Sequence, residues 1–90
     1  MTEDNIPPYV FRVLLFGPIA QTAGTTCAEV MIEQPDILVE QLIETLCRQN
    51  PGIASSVRTC RIARNHAFAQ DHERVSFRDE LALIGMVSGG

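Results

Sequence analysis

The chain has no lysine and no tryptophan, and all seven of its basic residues are arginines. It therefore has no side-chain amine to act as acceptor for an isopeptide bond, although compositional drift explains the same absence. Basic stretches are missing too, and at a formal net charge of −4 nucleic acid is excluded as the expected partner. Cysteines number three, Cys27, Cys47 and Cys60, an odd count without paired spacing. That argues against a disulfide framework or a zinc site and for reduced, mostly buried thiols acting as small hydrophobes. No apolar run approaches the length of a membrane span. The acidic start Met1-Thr2-Glu3-Asp4-Asn5 is not followed by a signal-peptide core, so a cytoplasmic address is expected.

What is present is a globular composition. Ninety residues with 46% hydrophobic and 20% charged side chains are enough for one small domain. The expected organisation is a flexible lead-in over residues 1–8, a folded domain over 9–85 and a flexible tail over 86–90. Tyr9 to Phe16 is interrupted only by Arg12, which predicts a strand covered on both faces and central in its sheet. Gly17-Pro18 ends it, a helical turn around Ile19-Ala20-Gln21 follows, and Gly24 closes the loop. Thr25 to Glu33 alternates, with Thr26, Ala28, Val30 and Ile32 inward. This reads as a half-exposed edge strand antiparallel to the first.

From Leu38 to Asn50 the period becomes helical through Val39, Leu42, Ile43, Leu46 and Cys47. Asp36 is the nearest side chain suited to capping, and Pro51-Gly52 is the stop. Ile53 to Val57 adds a short turn. Thr59 to Arg64 is a further strand, Asn65-His66 a turn, and Ala67-Phe68-Ala69 a short return strand. Asp71 to Arg74 reads as a polar connector, with Val75 and Phe77 tucked under the sheet. His66 and His72 have no carboxylate or cysteine at catalytic or metal spacing, so both are expected on solvent-facing loops. In the last strand, Leu81 and Leu83 should enter the core while Ala82 and Ile84 occupy the other face. One helical face and one sheet face must cover each other, so a single helix on a small mixed sheet of four to five strands is expected, an α+β architecture.

The strand Glu80-Leu81-Ala82-Leu83-Ile84 is followed only by Gly85 and Met86-Val87-Ser88-Gly89-Gly90. Two glycines in series pass through a channel too narrow for residues with a Cβ. The distinctive group at such a tip is the Gly90 carboxylate, which an enzyme can activate as an acyl-adenylate. A frayed terminus is the plain alternative.

The order of segments carries a resemblance. Arg12-Val13-Leu14-Leu15-Phe16-Gly17 with Gly24, the helix Val39-Glu40-Gln41-Leu42, Ile62-Ala63-Arg64-Asn65, Asp79-Glu80-Leu81-Ala82-Leu83-Ile84 and Val87-Ser88-Gly89-Gly90 together resemble the molybdopterin synthase small-subunit family. These are sulfur carriers of ubiquitin-like β-grasp fold. The resemblance implies that an E1-like adenylyltransferase activates Gly90 with ATP and that sulfur transfer makes it a thiocarboxylate. It implies a tail, Met86, Val87, Ser88 and Gly89, threading into the large synthase subunit of a heterotetramer, where the sulfur attacks cyclic pyranopterin monophosphate. The carrier itself then binds no cofactor or metal, and the catalytic site lies on the large subunit. Phe16, Phe68 and Ile84 match positions where relatives expose apolar residues beside the tail, which makes them candidates for a docking patch. Two departures stand out. Phe77-Arg78-Asp79 replaces a glycine turn, and Gly85-Met86 replaces a proline pair, which should loosen the exit from the sheet. A thiamine-type carrier and a ubiquitin-like protein modifier are the alternative readings.

Overall fold

Seven strands and three helices build the domain in a computed structural model that describes residues 8–86. Strand β1 (Tyr9–Leu15) leads through helix α1 (Pro18–Ala23) to β2 (Cys27–Ile32), which pairs back on β1 in antiparallel register from Tyr9 opposite Ile32 to Leu14 opposite Cys27. Helix α1 ends on Gly24, whose φ of 73° lets its amide donate to the Ala20 carbonyl at 2.9 Å. The chain then forms β3 (Asp36–Leu38), the long helix α2 (Val39–Gln49), a 3₁₀ turn (Pro51–Ile53) and the short α3 (Ala54–Val57). Strands β4 (Cys60–Arg64), β5 (Ala67–Phe68), β6 (Arg74–Ser76) and β7 (Leu81–Gly85) complete it. The main sheet has the order β2-β1-β7-β4-β5, and β3 pairs with β6 in a separate two-stranded ribbon. Only β1 and β7 run parallel; the other pairs are antiparallel. This is the mixed sheet with one main helix of the ubiquitin-like β-grasp class.

The period-2 pattern of the strands and the period-3.6 pattern of α2 meet in one core. Val39, Leu42 and Leu46 of α2 are buried against Phe11, Val13 and Leu15 of β1, Val30 of β2, Ile62 of β4 and Leu81 and Leu83 of β7. Each of these side chains contributes about 1.5–3 kcal/mol by leaving water, which is why the alternation in β7 and the stripe on α2 could be read from sequence. Val75 is buried, and Phe77 lies 5.0 Å from Tyr9, ring centre to ring centre, closing the core at the start of β1.

Several expectations are corrected. Helix α2 is not capped by Asp36, which lies in β3 and accepts a 2.9 Å hydrogen bond from Arg74 Nε. Val39 donates to the Glu73 carbonyl and Glu40 to that of Asp71, while the Leu38 amide donates to the side-chain Oε1 of Gln41, three residues on. The stretch 71–74 is thus more than a connector, since it caps the helix and Arg74 begins β6. Thr26 is exposed and precedes β2 rather than facing inward. Strand β1 is interior to the sheet but covered on one face only: Phe11, Val13 and Leu15 are buried, whereas Arg12 is exposed and Leu14 half-buried. The three cysteines are free and half-buried. No helix among the described residues is long and apolar enough to cross a membrane.

Candidate functional site

Among the described residues no layer covers the face of the sheet opposite α2, and the register decides which side chains share it. Leu14 of β1 lies opposite Ala82 of β7, Ala82 opposite Ala63 of β4, and Ala63 opposite Phe68 of β5. One step toward the ends of the parallel pair, Ile84 lies opposite Arg61, and Phe16 follows directly on β1. Small residues at 63 and 82 leave a depression between the larger ones. Its volume is about 390 Å³, and Leu14, Phe16, Phe68 and Ile84 line it, with His66 and Glu80 also on its wall. Phe16 is 53% and Phe68 48% exposed, and Ile84 is half-buried. Exposed aromatics around a concavity mark a contact surface. The three sequence candidates Phe16, Phe68 and Ile84 are therefore brought onto one face.

The exit of the chain is close by. Gly85 still lies in the ladder opposite Cys60, and the Met86 amide donates to the Thr59 carbonyl at 2.9 Å. Gly85 is thus extended and paired with β4 at the exit without a proline. Met86 is 45% exposed. A second depression of about 240 Å³ is lined by Phe16, Ile19, Cys60, Gly85 and Met86, so Phe16 borders both hollows and links the apolar face to the root of the tail. Val87, Ser88, Gly89 and Gly90, the tail and tip singled out in the sequence, lie outside the described residues.

The turn Asn65-His66 holds the far wall. Both residues adopt positive φ, 52° and 76°, a conformation that asparagine tolerates better than most. Asn65 is fixed at three points to the entry of β7: its amide donates to the Glu80 carbonyl, its Oδ1 accepts from the Glu80 amide at 2.9 Å, and its Nδ2 donates to Asp79 Oδ1 at 3.2 Å. His66 is on a solvent-facing turn as expected, and its Nε2 is 3.3 Å from Glu80 Oε1. The two are fourteen residues apart in sequence and meet only through the β4–β7 register. His72 is exposed as expected.

Among the described residues no cluster of three or more histidine, cysteine or acidic side chains is placed to hold a metal ion. Burial pushes the Cys60 thiol above its ordinary value, with the Thr59 hydrogen bond opposing it, so the thiol is a poor nucleophile at neutral pH. What the described surface offers is adhesion: an apolar hollow beside an extended chain exit.

The ThiS family model matches residues 13–90. Among solved structures, the chain is similar to small archaeal modifier protein 1 of Haloferax volcanii, with 28% identity, a TM-score of 0.74 and coverage of 90% of this chain and 99% of that one. The protein of the same name from Methanosarcina acetivorans is 18% identical at a TM-score of 0.69, covering 92% and 98% of the two chains. A complex of subunits 1 and 2 of molybdopterin-converting factor from Helicobacter pylori contributes a chain 22% identical at a TM-score of 0.58, covering 90% and 99%. The latter two are likenesses of fold. No sequence among curated proteins matches.

Proposed function

The chain belongs to the ThiS family, whose model spans nearly all of it, and from that premise we propose that it is the sulfur-carrying small subunit of a molybdopterin synthase. In this reading the Gly90 carboxylate attacks the α-phosphorus of ATP on an E1-like enzyme, pyrophosphate leaves, and the acyl-adenylate forms. A hydrosulfide-level sulfur nucleophile then adds to the activated carbonyl, the acyl–phosphate bond breaks with AMP as leaving group, and a thiocarboxylate remains. Its sulfur is the better nucleophile: on the large subunit it attacks cyclic pyranopterin monophosphate, and water then cleaves the acyl–sulfur bond, leaving the sulfur on the product and returning Gly90 as a carboxylate, two loaded carriers serving one dithiolene. The carrier supplies the acyl group and a handle; the catalytic side chains belong to its partners.

The observation that carries this reading is the position of the apolar hollow. Phe16, Phe68 and Ile84 share a face with the end of β7, and Phe16 also borders Met86. Threading a free segment through a channel costs about 1–2 kcal/mol of backbone entropy per residue. An adjoining apolar face offsets that cost by leaving water on docking. The Helicobacter pylori complex of subunits 1 and 2 is consistent with a large-subunit partner. A second reading, a ubiquitin-like modifier joined through Gly90 to lysines of other proteins, is favoured by the 28% identity to small archaeal modifier protein 1.

The test is reconstitution with the large subunit and activating enzyme from the same genome. Conversion of cyclic pyranopterin monophosphate should require the carrier and should be abolished by one residue appended after Gly90, with the unfolding midpoint unchanged. Activity retained by the extended variant would contradict the reading, and high-mass conjugates in extracts would favour the modifier.

A further inference from the structure

The seven guanidinium groups fall into two sets. Arg12, Arg48, Arg64 and Arg74 lie within ion-pair distance of Glu29, Glu44, Glu73 and Asp36. Among the described residues, Arg58, Arg61 and Arg78 have no such carboxylate. In a chain of net charge −4 acidic groups are in excess, yet three of the seven cations are without one; Arg58 follows α3 at its C-terminal end. Arg78 lies over Phe77, which packs on Tyr9 at the start of β1, the end away from Phe16. Arg61 is at the other end. It stands opposite Ile84 in the β4–β7 ladder, two residues from the Thr59 carbonyl that receives the Met86 amide. Its Cζ lies 4.7 Å from the centre of the Phe68 ring.

We infer that Arg61 is the polar anchor of the docking face, placed to receive a carboxylate from the large subunit that accepts the tail. The inference rests on the carrier reading given above. A guanidinium held over an aromatic face retains N–H donors, and two of them in parallel match the two oxygens of a carboxylate. Phe16, Phe68 and Ile84 surround the position with apolar surface that excludes water when covered, which strengthens a satisfied pair and penalises an unsatisfied one. A partner lacking the acid would bury an unpaired cation, so Arg61 selects partners as well as attracting the right one. An acidic chain favours a basic partner overall, but at this point beside the exit the local charge is reversed. The partner's rim should accordingly carry an acidic residue there.

The experiment is calorimetric titration of the large subunit from the same genome with wild type, R61M, R61K and R78M at low and high salt. R61M keeps a stem over Phe68 and removes the charge; R78M removes the same charge at the opposite end. Arg61→Met should weaken binding about 10- to 100-fold at low salt, the size of a charge-assisted hydrogen-bonded pair, and flatten the salt dependence. R61K should fall between, and R78M should bind like wild type, with all unfolding midpoints alike. Binding by R61M within twofold of wild type, with the wild-type salt slope, overturns the Arg61 assignment alone (a bound of about twofold, far below the charged-pair effect). Absence of binding by wild type overturns the carrier reading and this inference together.

Discussion

Replacing Asn65 separates backbone strain from side-chain bonding at the turn that holds the docking wall. With φ of 52°, position 65 penalises any residue bearing a Cβ other than asparagine or aspartate. The side chain adds two bonds, to the Glu80 amide at 2.9 Å and to Asp79 at 3.2 Å, both exposed. Asn65→Gly keeps the conformation and loses the bonds; at about 0.5–1 kcal/mol each for exposed groups, the cost is about 1–2 kcal/mol. Asn65→Ala loses the bonds and adds about 1–2 kcal/mol of left-handed strain, for a total of about 2–4 kcal/mol. The assay is urea unfolding at constant m-value, supported by melting, where each kcal/mol moves the midpoint by about 4–8 °C in a domain this size. The order should be wild type, then glycine, then alanine. An alanine variant as stable as the glycine variant would refute the argument from positive φ. A glycine variant as stable as wild type would show that the bonds to β7 contribute nothing.

Other outcomes follow from the same structure. Leu42→Ala, at the fully buried centre of the α2 stripe, should cost about 2–5 kcal/mol in chemical unfolding. Phe16→Asp and Phe68→Asp should leave stability within about 0.5 kcal/mol because both rings are half exposed. Each should nevertheless weaken binding to the large subunit by about 2 kcal/mol or more, measured by calorimetry. The Cys60 thiol is raised above its ordinary value by burial, so the folded state holds that proton more tightly than the unfolded state. Stability is then full below the ordinary thiol pKa and declines as pH rises through it toward the raised value. Unfolding free energies measured across that alkaline window should show a shallower decline in Cys60→Ala.

The sequence was informative wherever one element's own pattern sufficed. The stripe of α2, the alternation of β2 and β7 and the Asn65-His66 turn all carry their signal within a few residues, and each is where the pattern places it, except that β2 begins after Thr26. What it did not show depends on partners far along the chain. Strands β3 and β6 have three residues each, too few for a period, and exist because Asp36 to Leu38 meets Arg74 to Ser76. The amides of α2 are met by carbonyls at 71 and 73, so no local capping rule could find them. Gln49 makes two hydrogen bonds with the Met31 backbone at the open edge of β2, a contact between residues eighteen apart. The His66–Glu80 contact and the stacking of Arg61 on Phe68 likewise arise from register across strands. For the docking face, resemblance nominated Phe16, Phe68 and Ile84, and the parallel β1–β7 pairing explains why residues so far apart in sequence share one surface.

The most direct measurement of the central claim is the intact mass of the protein after incubation with its activating enzyme, ATP and a sulfur donor. The account predicts exchange of one oxygen for sulfur, localised by fragmentation to Gly90 and dependent on ATP. An unchanged mass at that terminus, with the activating enzyme shown to be competent, would contradict it.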